Sequence, residues 1–416
     1  MKPRRAAQWS WALTAWANHS FVTTVLVGLF PIFFDKYWAS DLPGTTSTFY
    51  LGLSNSSASL LVMLAAPWLG ALADRLGRKR RWFGYCTALG AVAIALLSQV
   101  GGGRWLIALL WFGLGSIGFW AGSSFQDALL VEVADRTESN RISALGFALG
   151  YLGGGLLFLV NVLLVLHPAW FHLADATAAM RVAFLDVAAW WVVFTLPLYR
   201  YVGEPPPMQG QAGWRELWAT IRSVLDDRPV LNFLLAYWLY IDGISTVQIM
   251  ATDFGAKLGF TTATLITALL LVQFIAFPFA ILFGRLGDRI GPRRAIYVGL
   301  AVFVAISVYA YFMRSEWQFY VLAGVFGTVQ GGVQALSRSY FSTLIPRERA
   351  GEYFGFYNML GKFAAVLGPL VMGVVAISTG NQRLSIVALT AFFVGGAWLL
   401  SRVPLSPAYG ASVSAR

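Results

Sequence analysis

Gly70-Ala-Leu72-Ala-Asp74-Arg75-Leu-Gly77-Arg78-Lys79-Arg80 and Gly284-Arg-Leu286-Gly-Asp288-Arg289-Ile-Gly291-Pro-Arg293-Arg294 are the same turn occurring twice in one chain. Gly, Leu, Asp, Arg, Gly and the closing basic residues keep one spacing, and each copy follows about twenty apolar residues, enough to cross a hydrocarbon core. A charged turn repeated in the same hydropathic setting marks one half of the chain as a copy of the other. In so apolar a sequence this predicts two parallel membrane bundles related by an axis along the membrane normal. A pair of unrelated cytoplasmic turns, each placed by charge bias, is the simpler alternative.

Composition restricts the remaining classes. Of 416 residues, 58% are hydrophobic and 12% charged, which no ordinary water-soluble domain tolerates. The net charge of +11 would suggest nucleic acid in a soluble protein. Here the basic residues sit in short loops between apolar spans, so membrane topology accounts for them and no nucleic-acid partner is expected. The single cysteine, Cys86, excludes an intramolecular disulfide and a cysteine metal site. His19, His167 and His172 form no ligand cluster, and no metal or other cofactor is expected.

Spans of about twenty residues begin near Trp11, Phe49, Trp82, Trp105, Ile142 and Arg181, then near Val230, Thr262, Ala295, Trp317, Tyr353 and Leu384. The expected fold is an all-α membrane protein with twelve transmembrane helices in two pseudo-symmetric six-helix bundles, since open sheets cannot span lipid. Residues 1–202 make the first bundle and 230–416 the second. Between them, 203–229 is a cytoplasmic linker opening with Gly203-Glu-Pro205-Pro206-Pro207, which cannot continue a helix. Within it Trp214, Leu217, Trp218, Ile221 and Leu225 share one helical face, as an amphipathic helix at the membrane surface or a plain tether would.

Charge sets the orientation. Only Lys36, Arg104, Arg181, Lys257, Arg314 and Arg383 fall in outer loops, whereas the repeated turns, Lys2, Arg4 and Arg5 fall on the other side. Both termini are therefore expected in the cytoplasm and the protein in the inner membrane. The N-terminus lacks a cleavage site and reads as a retained end.

The repeated turn resembles the signature of the major facilitator superfamily after its second and eighth helices. A narrower likeness runs through Gly331-Gly332-Val-Gln334-Ala335-Leu336-Ser337-Arg338-Ser339-Tyr-Phe341, Leu344-Ile345-Pro346, Gly355-Phe356-Tyr357 and Gly361-Lys362. Trp16-Ala17-Asn18, Gly150-Tyr151-Leu152-Gly153-Gly154 and Leu239-Tyr240-Ile241-Asp242-Gly243 add to it. These segments are similar to the vacuole-effluxer branch, the autophagy-related amino-acid exporters and their bacterial relatives. The resemblance implies a secondary transporter, with amino-acid efflux associated with the eukaryotic members. Ala15 stands where the family usually has Asp, and His19 where a small hydroxyl residue is common, which leaves substrate and coupling open.

Ionised groups at the membrane centre need a partner or water. Asp242 lies about twelve residues into the seventh helix and Lys362 about ten into the eleventh, depths that match at about 1.5 Å per residue. They are expected to pair, either as a coupling site where substrate or a proton competes, or as a permanent structural pair. Asn18, Gln330 and Gln334 carry donors and acceptors without charge, suited to a zwitterionic solute or to interhelical bonding. Tyr151, Tyr240 and Tyr357 would line the same cavity or simply pack. Asp127 and Glu132 toward the inner end of the fourth helix and Arg338 on the tenth suggest a gate, or solvated interfacial charge. Asp74 and Asp288, with Arg75 and Arg289, would meet helix N-termini or arginines and lock the inner side.

No phosphate-cradling loop or catalytic triad is visible, so neither ATP drive nor an enzyme is expected. The expected activity is alternating-access transport of a small polar metabolite, amino acids or short peptides first, by a monomer surrounded by membrane lipids. Proton coupling is a hypothesis resting on Asp242. A lipid or amphiphile carrier, and a non-transporting receptor or scaffold of the same fold, are the alternatives.

Overall fold

A computed structural model describes residues 3–207, 218, 222–380 and 382–404. Twelve long helices follow one another: α1 (Arg4–Trp38), α2 (Gly44–Leu76), α3 (Lys79–Leu97), α4 (Trp105–Ala128), α5 (Ser139–Leu166) and α6 (Ala176–Tyr201). The second six are α7 (Arg228–Lys257), α8 (Thr262–Ile290), α9 (Pro292–Phe312), α10 (Glu316–Leu344), α11 (Ala350–Thr379) and α12 (Arg383–Ser401). Ten of the candidate spans among the described residues are long and apolar enough to cross a membrane. The two others, α3 and α11, begin with the charges Lys79, Arg80 and Arg81 or carry Glu352 and Lys362. Away from their ends, helices satisfy their backbone groups internally, which lipid requires. One irregularity interrupts α1, where Phe21–Leu29 and Phe34–Trp38 wind as π-helix.

Duplication shows in the packing. In the first half α1 packs on α5 and α6, α2 on α4, and α3 on α4 and α6. In the second half α7 packs on α11 and α12, α8 on α10, and α9 on α10 and α12. The halves meet along two matching seams, α2 with α11 and α5 with α8. Each half has its own aromatic core, around Phe21, Phe112, Phe184 and Trp191 in the first and Phe233, Phe303, Phe341 and Phe393 in the second.

The repeated turns owe their glycines to backbone geometry. Gly77 (φ 59°) and Gly291 (φ 87°) both lie where a Cβ is strained, and each ends one helix and turns the chain into the next. The turn's basic residues then tie down the last helix of the same half. Arg80 donates to the carbonyls of Tyr199 and Val202, and Arg293 to those of Ser401 and Val403. Glu204, at the start of the linker, accepts from the N–H groups of Arg80 and Arg81, both at 3.0 Å. Of the expected amphipathic stretch, Trp214, Leu217 and Ile221 lie outside the described residues, while Trp218 and Leu225 are exposed.

Candidate functional site

At the end bearing the N-terminus and both repeated turns, each turn's aspartate reaches across to the opposite half. Asp74 is buried at the end of α2 and accepts from the N–H groups of Gly351 (3.0 Å) and Glu352 (2.8 Å) in the first turn of α11. Free amides and the helix dipole favour an anion there. Lys79, also buried, places Nζ 2.9 Å from Asp74 and 3.1 Å from Glu132. The helices come close enough because α2 and α11 meet glycine to glycine: a Cβ on Gly70 would run into the Gly351 carbonyl.

Asp288 makes the corresponding contact more loosely. It is exposed and accepts from Asn140 Nδ2 at 3.2 Å, at the start of α5. Arg75 is half-buried, with Nε and Nη1 lacking a hydrogen-bond partner among the described residues, and Arg289 is exposed. The two copies have therefore diverged: Lys79 turns inward onto Asp74, whereas its counterpart Arg293 turns away to α12.

Arg338 lies one layer deeper, 5% exposed. Its Nη1 donates to Asp127 at 2.9 Å, its Nε to Ser143 Oγ at 2.9 Å and its Nη2 to the Ser143 carbonyl at 2.9 Å. The guanidinium lies 4.9 Å from the Trp11 ring and 4.5 Å from that of Phe147. The other oxygen of Asp127 accepts from Asn358 Nδ2 at 3.0 Å. One arginine of α10 and one asparagine of α11 thus grip α4 and α5. Ser139 with Ser342 (2.9 Å) and Ser339 with Asn140 (2.7 Å) extend the seal. At the rim, Arg4 binds Asp135 and Glu138, and Arg347 binds the carbonyls of Val131 and Ala134. A mixed-charge recess of about 640 Å³ lies outside the seal, lined by Arg4, Asp74, Lys79, Glu132, Asp135 and Arg347.

Beyond this layer the polar residues of the spans divide into engaged and free. Asn18 is engaged through both amide atoms, donating to Gln126 Oε1 at 2.6 Å and accepting from Trp191 Nε1 at 2.5 Å. Tyr240 bonds Ser337 at 2.7 Å, and Tyr357 stacks on Tyr237 with centroids 4.0 Å apart, both within the second half. Tyr151 crosses the interface, its ring seated against Gly331 of α10 and edge-on to His19. Gln330 is 1% exposed with Oε1 lacking a partner among the described residues, and Gln334, one turn nearer Arg338, is half-buried.

Asp242 and Lys362 do not pair. Asp242 is fully buried, and one oxygen accepts from the Gly368 N–H (2.8 Å) and Thr246 (3.3 Å) while the other has no partner among the described residues. Lys362 instead lays its ammonium on the Trp120 ring of α4. Depth along the helices matched, but Gly368 lies six residues beyond Lys362, about 120° around α11. The face presented to Asp242 is therefore not the face carrying the lysine.

Sequence reasoning missed Lys79, Asn358, Ser143 and Trp11 as members of the seal. Lys79 reads as one more positive-inside charge, and only its burial distinguishes it. Asn358, four residues before Lys362 on one face of α11, was the available signal.

Residues 131–409 match the family described as vacuole effluxer Atg22 like. Over 402 residues the chain is 36% identical to the uncharacterized MFS-type transporter YxiO of Bacillus subtilis (strain 168), covering 95% of this chain and 94% of that one. The chain belongs to the vacuole effluxer Atg22-like family. Among its fungal relatives, autophagy-related protein 22 of Yarrowia lipolytica is 28% identical over 299 residues, 63% of this chain and 50% of that one. This chain thus spans about half the length of the fungal proteins it matches. In fold, the human organic anion transporter MFSD10 superposes with a TM-score of 0.76 at 18% identity, over 96% of this chain and 100% of that one. The proton:xylose symporter XylE gives 0.73 at 14% identity, over 97% and 95%. The Atg22-like chain therefore has the twelve-helix major facilitator fold, and is a multi-pass membrane transporter and not an enzyme.

Proposed function

We propose that the protein is a secondary active transporter moving a small polar metabolite, an amino acid or short peptide first, across the inner membrane by alternating access. The observation that carries this is the seal at one end, built from polar contacts between the halves: Asp74 on α11, Asp288 on α5, and Arg338 with Asp127. Such contacts separate without exposing a large apolar face, as a gate that opens every cycle must. Charge bias makes the sealed end cytoplasmic, so this conformation is closed to the cytoplasm. The halves that rock are residues 1–202 and 230–416, joined by 203–229.

The polar atoms just beyond the Arg338 layer favour a polar cargo. Gln330 Oε1 is buried with no protein donor among the described residues, and Gln334 and Lys362 sit one helical turn beyond Arg338 and Asn358 respectively. The family description as an effluxer favours export. Proton coupling rests on Asp242, a fully buried carboxyl with a free oxygen and no cation bonded to it among the described residues.

Counterflow in proteoliposomes, with labelled amino acids outside and the same solute inside, tests the reading. Exchange that disappears with Arg338→Gln at matched reconstitution is the expected result. Absence of counterflow for every solute, with ligand-induced thermal stabilisation retained, would point to a receptor instead. Uptake that is pH-independent in both wild type and Asp242→Asn would remove the proton.

A further inference from the structure

Lys362 is an unusual cation for its position. It lies on a membrane-spanning helix, half-buried, with its ammonium against the Trp120 indole of the opposite half and no carboxylate partner among the described residues. Two acids inside the spans, one on α4 and one on α7, are committed elsewhere. Asp127 is shared between Arg338 and Asn358, and Asp242 is turned to Gly368 and Thr246. An aromatic face offsets part of the desolvation of an ammonium, about 2 kcal/mol when buried, which is less than a counter-anion provides. The indole adds a second donor, since Trp120 Nε1 is buried without an acceptor among the described residues. Two donors with no protein acceptor meet where α4 and α11 face each other.

From this geometry we infer that Lys362 and Trp120 form the anion subsite of the transport pathway and receive a carboxylate of the cargo. The inference rests on the transporter reading and narrows it to solutes bearing a carboxylate, against sugars, amides and organic cations. A carboxylate binding here takes the ammonium off the indole face and so replaces a contact between the halves with a contact to cargo. Binding thereby loosens the α4–α11 seam, which Asn358 and Asp127 still join.

The test uses the full chain in detergent and matched ligand pairs: leucine against leucinamide, alanine against alaninamide, and butyrate against butyramide. Thermal stabilisation by at least one carboxylate and not by its amide is expected. Lys362→Gln should raise the apparent Kd of that carboxylate about tenfold or more, the scale of one charge-assisted hydrogen bond, and Lys362→Arg should retain binding. If no carboxylate stabilises the wild type more than its amide, or if Lys362→Gln binds the carboxylate unchanged, the subsite is refuted. Should Lys362→Gln not fold, loss of the carboxylate preference in Trp120→Leu supports the subsite and its persistence refutes it. Counterflow of an amide or another neutral solute would leave the transporter reading standing while overturning this one, and no flux of any solute despite a carboxylate-specific shift would do the reverse.

Discussion

Replacing Asp127 by Asn should unlock the sealed end. Arg338 and Asp127 retain only 6% and 12% side-chain exposure, and their 2.9 Å contact joins α10 to α4. The amide keeps the volume but leaves a buried guanidinium without its counter-charge. Full loss of a partner in a buried pair costs about 3–5 kcal/mol. Here the two bonds to Ser143 and the rings of Trp11 and Phe147 remain, so the cost is about 2–3 kcal/mol, the scale of one charge-assisted bond. Because these contacts join the two halves, the penalty falls on the closed state, and the open population rises about 30- to 150-fold. Ser342, 6% exposed and bonded to Ser139, is covered while the end is shut. With Cys86 replaced by Ala and Ser342 by Cys, maleimide labelling in inside-out vesicles reports the open fraction, and Asp127→Asn should accelerate it by that factor. Unchanged labelling would show that the pair does not hold the gate.

Gly70→Ala, whose Cβ meets the Gly351 carbonyl, should open the same end even with Asp127 intact, at about 1–3 kcal/mol for forced overpacking. Gly373→Ala, with nothing within 4 Å, is the control in the same labelling assay. Asp74→Asn should impair transport far more than Asp288→Asn at equal expression, because Asp74 is buried with Lys79 and two backbone donors while Asp288 is exposed with one amide; equal effects would count against the asymmetry. The hydrogen bond and charge of Arg4, with a smaller contribution from Arg347, hold the Asp135 carboxyl below its ordinary value. Arg4 belongs to the same half, so Asp135's part in the seal is its 3.4 Å contact with Arg347, complete above the ordinary carboxylate range and lost only as pH falls below it. The ratio of labelling rates between wild type and Asp135→Asn, which cancels the thiol's own pH dependence, should therefore stay constant from pH 8 to about pH 5 and approach one in stronger acid; a change near neutrality would exclude this pair as the cause.

The fold was legible because lipid leaves few choices. A span of apolar residues closed by Gly-x-Leu-x-Asp-Arg-x-Gly announces a helix, its end and its copy, and the twelve expected starts fall on or near the observed helices. The π-helical winding of Phe21–Leu29 left no trace in the sequence, since its residues are ordinary for a membrane helix. The site was legible in residue type but less so in pairing. Asp242 and Lys362 looked like partners because depth follows from counting along a helix, whereas the direction in which a side chain faces depends on how each helix is rotated against its neighbours. Lys79 was concealed for a related reason: among Arg78, Arg80 and Arg81 its charge looked topological, and only tertiary packing turns it inward.

The arginines that clamp α6 and α12 stand one residue out of step. Aligned by their glycines, Arg80 corresponds to Arg294, but it is Arg293 that grips the Ser401 and Val403 carbonyls. A chimaera grafting Gly70–Arg80 in place of 284–294 in the natural frame would put a lysine where the second half needs a forked donor. That lysine offers a single ammonium in place of the guanidinium's two arms. Ancestral equivalence and present-day duty have come apart at this position, so exchanges between the two halves have to be designed by contact and not by alignment.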